Sequence, residues 1–113
     1  MTTVTVQDRA RRLGHKLTRS DIKKWADALR SGKYKQTRGS LYSWDESGRK
    51  VDGMCCIAVG AHVLRKFVVA RSSTEQAAHA IGLEVGEQNE LVDMNDSQKQ
   101  DFVYIADWIE KNL

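Results

Sequence analysis

Proline is absent from this chain. No proline-rich spacer or proline hinge can interrupt it, no Gly/Ser-rich linker is visible, and the sequence reads as one continuous fold. Cysteine is almost absent too: the only two are the adjacent pair Cys55-Cys56. A bridge between chain neighbours is strained, which excludes a disulfide scaffold and predicts two reduced thiols in a reducing compartment. Long apolar runs are also missing. The longest, residues 55–64, is broken by Gly60 and His62 and falls well short of the roughly 20 residues a membrane helix needs. The first residues, Met1-Thr2-Thr3-Val4-Thr5-Val6, lack a charged region followed by an apolar one, so no secretory signal is expected and cytoplasmic residence is the reading.

Two kinds of site are excluded on spacing. Gly32, Gly39, Gly48 and Gly53 are too dispersed, and lack the strand-loop-helix context, for a phosphate-cradling loop. His15, His62 and His79 share no ligand spacing with the cysteines, so no metal site and no cofactor are expected.

What is present is a soluble composition, 41% hydrophobic and 29% charged over 113 residues, which is enough for one domain. Charge is unevenly placed. Residues 1–50 hold thirteen Lys/Arg against five Asp/Glu, a balance of +8, while residues 51–113 hold five against ten, a balance of −5. Such polarity suits a basic face meeting an acidic partner, a nucleic acid or a nucleotide; equally, the two halves can pack together and neutralise each other.

Apolar spacing outlines the fold. Val6, Ala10, Leu13 and Leu17 recur at helical intervals among Arg9, Arg11, Arg12 and Lys16, which predicts a basic helix or extension over residues 1–19 ahead of a core over residues 20–113. Thr18-Arg19-Ser20-Asp21 has the form of a capping box for a helix with Ile22, Trp25, Ala26 and Leu29 on one face, ended by Gly32. Residues 41–44 and 49–52 flank the turn composition Asp45-Glu46-Ser47-Gly48, which predicts a β-hairpin. A mostly apolar helix follows Gly53, with Cys56, Gly60, Val63 and Phe67 on one face. Residues 72–76 cap a shorter helix reaching Ile81, residues 86–90 read as a polar connection, and Asn95-Asp96-Ser97 read as the cap of a last helix with Phe102, Ile105, Ala106, Ile109 and Leu113 on its face. The expected architecture is a small α+β domain of four or five helices with a short antiparallel hairpin.

Three stretches taken together carry a resemblance. They are Leu29-Arg30-Ser31-Gly32-Lys33-Tyr34-Lys35-Gln36 with Gly39 and Leu41, the paired Cys55-Cys56 with Gly60, and Asn95-Asp96 followed by Phe102 and Ile105-Ala106-Asp107-Trp108-Ile109-Glu110. In these the chain resembles a family of short, uncharacterised proteins encoded by tailed bacteriophages and prophages, over roughly residues 22–112. The resemblance implies a phage origin and a bacterial cytoplasm, and brings no activity, cofactor or catalytic residue. The chain departs from the family's pattern in placing Ala58 where a glycine follows the cysteines, and in its basic N-terminal extension.

Chemistry narrows to three candidates. A cysteine at a helix N-terminus can be activated by the helix dipole, so Cys55 or Cys56, with Gln36 as oxyanion donor and His62 or His79 as base, outlines a thiol-dependent enzyme. Against it, His62 lies six or seven residues along the same helix, about 9–10 Å by helical rise, and free cysteines are commonly core. The carboxylates Asp93, Asp96, Glu84, Glu87 and Glu90 read as caps and a solvated segment. The basic, aromatic hairpin and its approach (Lys33, Tyr34, Lys35, Arg38, Tyr42, Trp44, Arg49 and Lys50) suits nucleic acid, a nucleotide or an acidic protein, unless Tyr42 and Trp44 turn inward onto Trp25. The expectation is a non-enzymatic binding protein engaging an acidic host protein or nucleic acid, with no membrane partner, through Arg9, Arg11, Arg12, Lys35, Arg38, Arg49 and Lys50. The alternatives are a thiol-dependent enzyme and a nucleotide-binding module.

Overall fold

The computed structural model describes residues 17–64 and 73–113, which form five helices and a two-stranded antiparallel sheet. Of the basic helix or extension expected at residues 1–19, residues 1–16 lie outside the described residues, as does the part of the apolar helix that includes Phe67. Leu17 and Thr18 are not helical, and Arg19 already belongs to the first described helix, because Thr18 caps it.

Helix α1 (Arg19–Arg30) begins as its sequence predicts. The Thr18 hydroxyl accepts from the Asp21 amide at 3.0 Å, and the Asp21 carboxylate accepts from the Thr18 amide at 3.2 Å. Two of the first-turn amides that a helix leaves unpaired are thereby met. Its buried stripe is Ile22, Trp25, Ala26 and Leu29. Strands β1 (Tyr42–Trp44) and β2 (Val51–Met54) pair as Tyr42 with Met54 and Ser43 with Gly53. Register then slips, so Trp44 faces Val51 and Asp52 is the extra residue of a β-bulge. On the far side of β2, the Met54 amide donates to the Lys35 carbonyl and its carbonyl accepts from the Thr37 amide, each at 2.9 Å. Residues 35–37 are thus fixed against the sheet.

Helix α2 (Cys56–Val63) follows directly, and Cys56, Ile57, Ala58, Val59, Gly60 and Ala61 are all buried. A helix apolar all round belongs in a core, and α2 touches α1, β2, α3 (Thr74–Ile81) and α4 (Val85–Val92). At Gly60 it lies tight against α1: a Cβ added there would stand 2.7 Å from Trp25 Cε2. The indole Nε1 donates to the Cys56 carbonyl at 3.0 Å, so Trp25 is both packed and pinned. Helix α5 (Phe102–Asn112) runs along α1, burying Phe102, Ile105, Ala106 and Ile109, while Arg30 of α1 pairs with Asp107 at 2.7 Å and with Glu110.

Two local expectations are corrected. Residues 86–90 are not a connection but part of α4, started by reciprocal capping between Glu84 and Glu87. Nor do Asn95-Asp96-Ser97 cap the last helix. Residues Asp93–Ser97 continue α4 as a wide π turn, closed by the Gln98 amide donating to the Asp93 carbonyl at 2.8 Å. The cap of α5 is Asp101, whose carboxylate accepts from the Tyr104 amide at 2.9 Å. The chain reaches it through Lys99, which adopts a left-handed φ of 55°.

Candidate functional site

Two places concentrate chemistry, and the first is the cysteine pair. Cys55 is the N-cap of α2, with its amide donating to the Leu41 carbonyl at 2.9 Å. Cys56 lies one residue deeper, and its thiol donates to the Leu91 carbonyl at 3.8 Å. Both thiols are free and buried. A cavity of about 10 Å³, room for a single water, is lined by Ser40, Cys55, Cys56, Thr74, Asn95 and Asp96 among others, with no histidine.

The π turn brings Asn95 to this cavity, 1% exposed and fully engaged. Its Oδ1 accepts from Gln36 Nε2 at 2.8 Å, and its Nδ2 donates to the Thr37 carbonyl at 2.9 Å and to Asp96 Oδ1 at 2.7 Å. Gln36 Nε2 also donates to the Gln100 carbonyl at 2.9 Å. Stretches far apart in sequence, at Gln36, Cys55-Cys56 and Asn95-Asp96, therefore meet at one junction. It has the parts of a catalytic cluster but not the electrostatics. Burial pushes the Cys55 thiol up to about 11, against the opposing pull of the Ala58 and Ile57 amides, and the nearby Asp96 raises it further. Burial raises Cys56 as well. A thiol held protonated at neutral pH is a poor nucleophile. The amide of Gln36 is already engaged, and among the described residues His62 rests edge-on against Tyr34 while His79 stands on α3. The arrangement serves as a tertiary lock joining the sheet, α2 and the π turn.

No protein-family model, curated protein or solved structure matches this chain. Function has to be read from its own surfaces.

The second place is the hairpin. Its turn is rigidly built: Ser47 Oγ donates to Asp45 Oδ1 at 2.6 Å, the Arg49 amide donates to Ser47 Oγ at 3.1 Å, and the Asp45 amide donates to the Lys50 carbonyl at 2.9 Å. The Ser47 hydroxyl holds the Asp45 carboxyl below its ordinary range. Arg49 and Lys50 emerge from this turn exposed, and their side chains have no partner among the described residues. Beside them Trp44 is 41% exposed and faces Val51, itself 39% exposed, across the strands. Tyr42 is half-buried with its ring centroid 6.3 Å from that of Trp44. The inward alternative fails for Trp44, which is 41% exposed and does not pack on the core, whereas Tyr42 does.

The other cations sit differently. Lys35 pairs with Asp52, the bulged residue, at 3.0 Å. Arg38 donates to the Lys99 and Gln100 carbonyls at 3.2 and 3.1 Å, steadying the loop into α5. Both remain exposed, yet each is tied to a structural partner. Arg9, Arg11 and Arg12 lie outside the described residues. The sequence reading assigned Asn95 the role of a cap, not of a buried bracket: an Asn-Asp pair before a helix carries a capping signal, and nothing local distinguishes the two.

Proposed function

We propose that this is a phage-type, non-enzymatic binding protein of the bacterial cytoplasm that engages an acidic surface of a host protein through its β1–β2 hairpin. The observation that carries the reading is the exposed Trp44–Val51 pair, buttressed by Tyr42 and bordered by Arg49 and Lys50. An apolar anchor with an aromatic at its centre and charges at its rim is how protein interfaces concentrate their energy. The hairpin and its approach carry five cations, Lys33, Lys35, Arg38, Arg49 and Lys50, against Asp45, Glu46 and Asp52, a modest surplus that favours an acidic partner. A protein fits better than a nucleic acid because Asp45 and Glu46 stand at the same tip as Arg49 and Lys50. A uniformly anionic phosphate chain would be repelled by the two carboxylates, whereas a protein surface can set cations of its own against them. Two buried, unbridged thiols fit a reducing compartment. The phage assignment rests on the resemblance of the three sequence stretches, and the thiols held protonated support a binding role over thiol chemistry.

The test is affinity capture from nuclease-treated bacterial lysate with three baits: the parent protein, Trp44→Ala, and Arg49→Glu/Lys50→Glu. A host protein retained by the parent should be lost at least tenfold from both variants, while circular dichroism shows them folded. Retention by both variants refutes the hairpin as the contact. An oligonucleotide titration across a salt series completes it, since tight binding that weakens steeply with salt would replace the protein partner by a nucleic acid.

A further inference from the structure

Among the described residues the sheet has one open edge. Strand β2 is covered on both sides, by β1 and by residues 35–37 through the Met54 amide and carbonyl. Strand β1 pairs with β2 alone. The Leu41 carbonyl accepts from the Cys55 amide and the Asp45 amide donates to the Lys50 carbonyl, each at 2.9 Å, so these groups turn towards β2. Antiparallel alternation then turns the backbone groups of Tyr42 and Trp44 outward. Ser40 Oγ donates to the Tyr42 carbonyl at 2.8 Å, which leaves that oxygen a second lone pair.

Open edges are usually blunted by lysine, proline, a bulge or an inward-pointing charge. Beyond its shortness β1 has none of these: it reads Tyr42-Ser43-Trp44, and the bulge lies on β2 at Asp52. Its flanks are open as well, with Gly39, Ser40 and Glu46 exposed. A second copy of this chain fits the edge. Antiparallel pairing about Ser43 sets Tyr42 of each copy opposite Trp44 of the other, which gives four backbone hydrogen bonds and two aromatic cross-strand pairs. It also brings the Asp45-Glu46 turn of each copy alongside residues 38–41 of the other, where Arg38 is the only charged side chain. Opposite signs therefore meet at both ends, whereas a strand from an acidic partner would meet those carboxylates with no cation of its own.

We propose that two copies of the chain pair through their β1 edges into a four-stranded sheet ordered β2-β1-β1-β2. The contact is isologous, the same residues serving on both sides, so it closes at a dimer and leaves no open edge to extend. A two-fold axis perpendicular to the sheet keeps both hairpins the same face up. The dimer thus presents two Trp44–Val51 pairs on one surface, and a partner with two matching sites gains avidity. So few bonds make the pairing weak, with a Kd on the order of 0.1 mM. The dimer does not depend on what the hairpin binds.

Sedimentation of the full chain, from well below that Kd to about tenfold above it, should show a monomer passing to a dimer. In a mixture of isotope-enriched and natural-abundance chains, a filtered nuclear Overhauser experiment should connect the Ser43 α-proton of one copy to the Ser43 α-proton of the other, since directly opposite residues of a non-hydrogen-bonded pair come closest. Glu46→Arg, a change at an exposed turn position, should raise the Kd about fivefold or more, and Arg38→Glu/Glu46→Arg should bring it back, with circular dichroism showing both variants folded. A chain that stays monomeric throughout overturns the proposal. So does a dimer without the Ser43 contact, or one indifferent to Glu46→Arg. A monomer that still captures a host protein through Trp44 would remove the dimer and leave the hairpin's binding role standing.

Discussion

Alanine at Gly60 should destabilise the protein, although alanine is the better helix former. At an exposed mid-helix site the change would gain about 1 kcal/mol of helix propensity. Here the new methyl would stand 2.7 Å from Trp25 Cε2, 2.9 Å from Nε1 and 3.1 Å from Ile81 Cδ1. Ordinary carbon contacts lie at about 3.5–4.0 Å, so the indole must retreat by roughly 1 Å. It has nowhere to go, since Trp25 is completely buried between α1 and α2. Retreat would also stretch the 3.0 Å bond from Nε1 to the Cys56 carbonyl beyond hydrogen-bonding range. Overpacking costs about 1–3 kcal/mol. A buried N–H left without an acceptor costs about 1–3 kcal/mol more. Net of propensity, Gly60→Ala should lose about 3 kcal/mol, and Tm should fall by roughly 10–15 °C at the unfolding entropy of a domain of this size. Urea unfolding followed by far-ultraviolet circular dichroism measures it without relying on tryptophan emission. The decisive control is Trp25→Leu, which removes the indole atoms from the contact. In that background the same Gly60→Ala change should cost less than about 1 kcal/mol, because the two side chains couple directly. Equal or greater stability of Gly60→Ala in the parent background would refute the close packing of α1 on α2.

Asn95→Ala should cost about 2–3 kcal/mol, since it strips the Thr37 carbonyl of its donor and Gln36 of one acceptor; hydrogen exchange should show the loss spreading through residues 35–37 and the π turn. Cys55 and Cys56 should resist alkylation at pH 7 in the folded protein and react fully in denaturant. The Cys55 thiol is raised from an ordinary 9.0 to about 11 in the fold, so its contribution to stability is complete below pH 9 and lost as pH rises towards 11. Urea midpoints should fall across that window, and the fall should shrink in Cys55→Ala. Arg30→Ala should weaken the α1–α5 contact by about 1 kcal/mol in low salt, because its carboxylate partners Asp27, Asp107 and Glu110 are half-exposed, and the difference should fade in 1 M salt, where the screening length is about 3 Å.

How much of this was legible beforehand depended on whether the cause was local. The Thr18 and Ser73 capping boxes, the glycines that end α1 and α3 and the buried faces of α1 and α5 are set by residues within a few positions of one another, and each stands where the sequence puts it. The hairpin forms as expected, but its second strand is Val51–Met54 rather than residues 49–52, because the cross-strand pairing closes at Trp44 and Val51. The run 85–92 read as polar because only Leu91 of that helix is fully buried, so the stripe was too thin to show a period. Asn95 read as a cap because its true partners are 58 and 59 residues away. The candidate surface divided in the same way. Cations and aromatics clustered visibly around the hairpin, but nothing along the chain shows that Lys35 is claimed by a bulged aspartate, that Arg38 braces a distant loop, or that Trp44 stands outside the core while Tyr42 packs on it.

Apolar spacing, caps and turn residues were enough to determine a small α+β chain, and charge alone its basic leading half, because these signals are local and exist before any tertiary contact forms. What the cysteines do was decided only by folding. Burial against α4 and the π turn, which no neighbour in sequence supplies, raises their thiols out of the reactive range and makes them part of a lock. Folding also decided which tryptophan is buried: Trp25 is fully enclosed while Trp44 stands 41% exposed on the hairpin.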